Sequence, residues 1–209
     1  MMRYIYGNAI CVVIWLGEES DGSREAMMGL ATMSKYGFFD TTSVDEGDAV
    51  LCSKDGNFNE IGEYLKSHTH MSQSIRDLLD RPWFQRMWIL QELVLAKTAL
   101  MLCGSELLDW DKFSCGLAVL IHLETLQDSR LEWSAALKRV VKMDSHRRMK
   151  LNQRSINGLI HDYRNNLASD PRDKLYSLFG LAKDADIKVD YAEPTGELYI
   201  RMAVFIITQ

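Results

Sequence analysis

The stretch RPWFQRMWILQELVLAK, residues 81–97, sets Arg81, Arg86, Gln91 and Glu92 among two tryptophans, a phenylalanine and a run of aliphatics. Glu92 is its chemical candidate. A carboxylate held beside a tryptophan is partly desolvated, which raises its pKa and suits acid–base or electrostatic work. A solvated or arginine-paired carboxylate would give the same pattern, so both readings stand at this level. Gln91 poses a different problem: on an apolar face it must find a hydrogen-bond partner or cost about 1–3 kcal/mol. A backbone group is the partner that such a setting predicts.

Other reactive residue types are thinly spread. Loop 17–22, GEESDG, follows an apolar run, where α/β folds place ligands. Its Glu18, Glu19 and Asp21 would repel a pyrophosphate, so it reads as a solvated loop. Cys52, His68 and His70 lack the spacing of a metal site, and no metal is expected. Cys11, Cys52, Cys103 and Cys115 form no CxxC pair and suit reduced thiols in a cytoplasmic protein. In SDPRDKLYSLFGLA, Asp170 is placed to cap a helix, with Pro171 at its first position and Asp173 where a capping-box acid sits. Arg172 and Asp173 then serve capping and an ion pair.

These side chains need elements to position them. Pro82 at a first helical position predicts one helix through the opening stretch. At about 100° per residue, Trp83, Phe84, Met87, Trp88, Leu90, Val94 and Leu95 share a broad face with Gln91. Glu92 falls on a narrow polar stripe with Arg81 and Gln85, pressed by Trp88 and Ile89 one turn earlier. Arg86 points away from Glu92 on that wheel. Elsewhere CVVIWL, residues 11–16, reads as a buried strand closed by Gly17, and Ser23 as the cap of a helix to Lys35. Residues 37–60 read as a long variable loop. Helices are expected over 61–67, 72–79, 110–126, 131–143 and 155–168. A second strand spans 98–104, residues 142–154 form a loop or solvated helix end, and Thr195 caps a last helix.

The 209 residues fit one domain able to bury a real core. A net charge of −5 gives no nucleic-acid footprint. No apolar run reaches membrane-spanning length, and the N-terminal segment lacks the order of a signal peptide. Eleven Met against three Pro favour helix over a β-sandwich.

The quoted stretch resembles the signature of the fungal heterokaryon-incompatibility (HET) domain, R-P-W-F-x-R-x-W-x-x-Q-E. It matches at Arg81, Pro82, Trp83, Phe84, Arg86, Trp88, Gln91 and Glu92. Three further segments agree in the family's order: YGNAICVVIWLGE, LMLCGSELLDWDKF, and DPRDKLYSLFGLA followed by VDYAEPTGELYIRMA. The family's opening L-S-Y-x-W-G and L-W-I-D segments have no counterpart, so the resemblance is to an N-terminally truncated HET domain over residues 1–209. Its helical C-terminal part would span about 110–209.

That resemblance implies an α/β, helix-rich fold with a parallel sheet core similar to Toll/interleukin-receptor (TIR) domains, incomplete at the N-terminus, and additional C-terminal helices. It implies a cytoplasmic effector of fungal non-self recognition and cell death that works through protein partners or self-association. Some TIR-like domains cleave NAD with a helix-borne glutamate. The alternative expectation is therefore NAD as substrate, with Glu92 as catalytic residue and no bound cofactor. An inactive remnant is the third expectation.

Overall fold

The β-branched run before Gly17 forms β1 (Val12–Trp15), entered from a short helix α1 (Met2–Asn8). The structure is a computed structural model that describes residues 2–20, 22–40, 50–53, 59–126, 135–184 and 187–208. β1 pairs in parallel with β4 (Ala99–Cys103), which turns at Gly104 and Ser105 into antiparallel β5 (Glu106–Asp109). The sheet order is β1-β4-β5, a small mixed sheet within a helix-rich α/β chain. β5 was absent from the expected elements because a four-residue return strand, ELLD, carries too little pattern to be seen alone.

One face of this sheet is covered. Val12, Ile14, Leu16, Ala99, Met101, Cys103 and Leu108 are buried there, and α2 (Ser23–Met33) and α6 (Trp110–Leu126) pack over β4 and β5. The two helices meet closely at Gly116, where an added Cβ would lie 2.2 Å from the Leu30 carbonyl oxygen. The other face is open: Val13 is 56%, Trp15 47% and Leu107 57% exposed. β1 is therefore buried on one side only, not throughout as its apolar run predicted. Strand chemistry gave the right element, but among the described residues no helix covers Val13 and Trp15.

Several boundaries differ from the expected ones. α2 begins at Ser23 after Gly22, whose φ of 78° is the left-handed value glycine permits. Ser23 does not cap it; its hydroxyl accepts from the Ser20 amide instead. Within the expected 37–60 loop lies an antiparallel hairpin of β2 (Gly37–Asp40) and β3 (Val50–Ser53), with 41–49 and 54–58 outside the described residues. Gly, Asp, Thr and Ser dominate that window and mask the short apolar pairs Phe38–Phe39 and Val50–Leu51. α3 (Asn59–Ser67), α4 (Met71–Leu79) and α6 match the periodicity.

The expected single helix over 81–97 is broken. Proline forces Arg81 extended, with ψ 146°, and Pro82–Gln85 form a 3-10 turn. Arg86 is extended, and α5 begins only at Ile89, ending at Val94. The break has a tertiary cause. Met87 N–H donates to the Leu167 carbonyl at 2.9 Å, and Leu167 N–H donates to the Gln85 carbonyl. Bonds made 80 residues away replace the helical ones that periodicity predicts.

α7 (Ala135–Arg148) runs through the segment expected as a loop or solvated end, and Asp144 and His146 within it are buried. α8 (Ile156–Tyr163) is capped by Ser155, whose hydroxyl accepts from Gly158 N–H. α9 (Asp173–Phe179) starts two residues after Pro171, and α10 (Thr195–Ile207) starts at Thr195 after Pro194 without a side-chain cap. Thr195 and Pro171 thus hold different places from those expected. No helix among the described residues is long and apolar enough to cross a membrane.

Candidate functional site

Glu92 lies half-buried in the first turn of α5. Its Oε2 accepts from the Trp83 indole Nε1–H at 3.2 Å. Tyr6, on α1, lies near this carboxylate, and its hydroxyl pKa is raised by burial and then by the Glu92 charge. The tryptophan serving Glu92 is therefore Trp83, across the 3-10 turn. Trp88, the neighbour expected from a helical wheel, is half-buried at the head of α5. Trp83 and Phe84 are buried and meet edge to face at 5.1 Å. Arg86 is exposed, and its charge counteracts that of Glu92 at Tyr6.

Arg81 organises the loop after β1. Its Nη1 donates to the Leu16 carbonyl at 2.8 Å and the Glu18 carbonyl at 3.0 Å, and its Nη2 to the Ser20 hydroxyl at 2.7 Å. Gly17 makes this grip accessible: with φ at 105° it turns the chain where a side chain would be strained, and an added Cβ would sit 3.3 Å from Arg81 Nη1. The clamped loop forms one wall of an open cleft of about 600 Å³. Glu19, Glu25, Met28, Tyr64 and His68 line it. Tyr64 and His68 stack at 4.2 Å, and His68 Nδ1 lies 2.9 Å from the Tyr64 carbonyl. Glu92 is not among the lining residues.

Gln91 is buried, as its position predicted, and its Nε2–H donates to the Ser177 carbonyl of α9 at 2.7 Å. The other end of the amide, Oε1, and the Ser177 hydroxyl are buried without hydrogen-bond partners. Gly180 packs against this amide, since an added Cβ there would lie 3.0 Å from Gln91 Nε2.

The 170–173 motif clasps the segment before α10. Asp170 pairs with the Arg172 guanidinium at 2.7 Å, which holds its carboxyl below the usual range. Arg172 Nη1 reaches the carbonyls of Tyr191 and Glu193, and the Tyr191 hydroxyl donates to Asp173. Tyr176 completes the clasp by donating to the Asp190 carbonyl at 2.7 Å.

The sequence reading missed a polar cluster on α7. Asp144 accepts from the Trp110 indole at 2.9 Å and from Arg148 Nε at 2.8 Å. Arg147 donates to the carbonyls of Leu93 and Ala96 at 2.6 and 2.7 Å, satisfying the end of α5. His146 Nδ1 lies 2.9 Å from both the Lys142 carbonyl and the Tyr163 hydroxyl. Burial lowers the His146 pKa and lifts that of Tyr163 well above the phenol range. The spacing of 144, 147 and 148 around a buried stripe was the available signal, overridden by the density of charge in that stretch. Among the described residues no group of His, Cys, Asp and Glu could hold a metal ion.

Residues 1–92 match the family model Heterokaryon incompatibility protein (HET). Across 93% of its length the chain is also 26% identical to Heterokaryon incompatibility protein 6, OR allele, of Neurospora crassa. It spans 33% of that relative's length. No solved structure matches the chain.

Proposed function

We propose that this chain acts in fungal heterokaryon incompatibility as a cytoplasmic effector domain that works through protein contacts. The observation that carries this reading is the match across 93% of the chain to a heterokaryon incompatibility protein. The local geometry supports a structural use of the signature residues. Arg81 holds a loop, Gln91 ties α5 to α9, and Glu92 accepts from Trp83. We take residues 1–209 as one HET unit with a TIR-like core, supported by the parallel pair β1 and β4 under helices. Catalysis on NAD by Glu92 draws less support, because its carboxylate accepts the Trp83 indole N–H.

The test is regulated expression in fungal hyphae, scored for growth arrest and cell death. Death from wild-type chain and from Glu92→Gln alike fits the contact-based reading. Death lost with folded Glu92→Gln, together with NAD consumption by wild type, would replace it with the hydrolase. Absence of death from the wild-type chain would remove the effector role.

A further inference from the structure

The cleft beside α2, at about 600 Å³, is large enough for a side chain together with the residues flanking it. Its walls are the loop after β1, the first half of α2 and the end of α3 with His68. The loop crosses the β4–β5 turn. Gly104 N–H donates to the Gly17 carbonyl at 3.0 Å, and an added Cβ at Gly104 would lie 2.8 Å from Glu19 Cβ. The cleft therefore lies toward β5, away from the outer edge of β1.

The charges that line it do not cancel. Glu19 and Glu25 are both in the lining, and among the described residues neither has an ion-pair partner. Arg24, the cation beside them, has its Nε 3.2 Å from Glu106 Oε1 on β5. That pairing draws its charge toward the sheet and leaves the two carboxylates uncompensated. Both are held in place before any ligand arrives. Glu19 is seated on Gly104 in the loop that Arg81 clamps, and Glu25 stands in the first turn of α2. Gly22, just before that turn, packs on α4, where an added Cβ would lie 2.4 Å from Ser74 Oγ.

An aromatic pair completes the cleft. Tyr64 and His68 stack with their planes at 30°, and both are half-buried, so each ring keeps an accessible surface. Met28, 53% exposed, adds an apolar wall. Carboxylates beside aromatic rings and a thioether suit a planar cation on an apolar stem. A guanidinium pairs with carboxylate and stacks on an aromatic face, whereas a phosphate would be repelled.

We propose that this cleft binds an arginine side chain of a protein partner, paired with Glu19 and Glu25 and stacked on the Tyr64–His68 pair. The net charge of −5 favours the approach of a basic segment. The inference rests on the contact-based reading of function and names the chemistry by which the partner is recognised.

The test is an NMR titration of the whole 209-residue chain with the capped peptide acetyl-Gly-Gly-Arg-Gly-Gly-amide. Exposed ion pairs and cation–π contacts are individually weak, so a dissociation constant of about 1 mM is expected. Shifts should centre on Glu19, Glu25, Tyr64 and His68. The citrulline peptide, of the same shape without the charge, should bind about 10-fold more weakly, and the lysine peptide about 3-fold more weakly. Glu19→Gln and Glu25→Gln should each weaken arginine binding about 3-fold, while Glu197→Gln, at an exposed acid on α10, should leave it unchanged. Absence of binding up to about 10 mM peptide overturns the inference. So does a citrulline or lysine peptide that binds as well as arginine, or a Glu197→Gln loss equal to those in the cleft. Hyphal death is scored separately, so the two failures are told apart. A chain that kills without binding the peptide removes the cleft and keeps the effector; one that binds without killing does the reverse.

Discussion

Replacing Arg81 with methionine keeps most of the side-chain length and removes the guanidinium. Three bonds are lost at once: two to the carbonyls of Leu16 and Glu18 and one to the Ser20 hydroxyl. A hydrogen bond from a charged donor contributes about 1.5–3 kcal/mol where it is dry. Two of the three here are at exposed sites, where water substitutes, and such charged contacts fall to about 1 kcal/mol or less. Only the Leu16 bond is part-buried, so the net cost comes to about 2 kcal/mol, roughly a 30-fold change in the folded-to-unfolded ratio. Urea unfolding reads this directly. Hydrogen exchange over residues 16–20 should speed up before any other segment does. Arg81→Lys keeps the charge but not the fork that spans two carbonyls, and should recover less than half of the loss. A loss below about 0.5 kcal/mol, or full recovery by lysine, refutes the clamp.

Gly17→Ala should destabilise by about 1–3 kcal/mol through its positive φ, measured by the same unfolding; an alanine that costs nothing would place the strain elsewhere. Gln91→Ala should lower stability by about 2–4 kcal/mol, because the Ser177 carbonyl loses its donor and a void opens in the core; Gln91→Met, which fills that space, should cost less. His146 has a folded pKa below its ordinary 6.5, so the unfolded chain takes up its proton first on acidification. Stability from this group is complete above about pH 6.5 and falls as pH drops from there toward the folded pKa. The melting temperature should decline over that window, and His146→Gln should flatten the decline. Asp162, held below the carboxylate range against its burial by the Lys142 hydrogen bond and charge, acts separately, its contribution lost below about pH 4.

Helices with a long unbroken stripe, such as α6, were readable from residue order because their partners lie one turn away. Elements fixed by distant partners were not. The segment 81–97 carries a helical stripe, yet Leu167 pulls residues 85–87 out of the helix and so exchanges Trp88 for Trp83 beside Glu92. The identity of Glu92, Arg81 and Gln91 as notable residues came from the sequence. What surrounds each did not, since Leu16, Tyr6 and Ser177 lie 65, 86 and 86 positions away. Residues 142–154 failed for another reason: a charged stretch looks solvated unless one knows that Trp110, Tyr163 and the end of α5 are waiting to be satisfied by it.

The contact at Gly116 sets how closely two helices can lie. With the backbone of α6 seated directly against the Leu30 carbonyl, no side chain lies between the two helices at that point. α2 supplies Arg24, Glu25 and Met28 to the cleft, while α6 contacts the β2–β3 hairpin and α7. A side chain larger than hydrogen at position 116 would therefore have to part the helix that lines the cleft from the helix that contacts the hairpin.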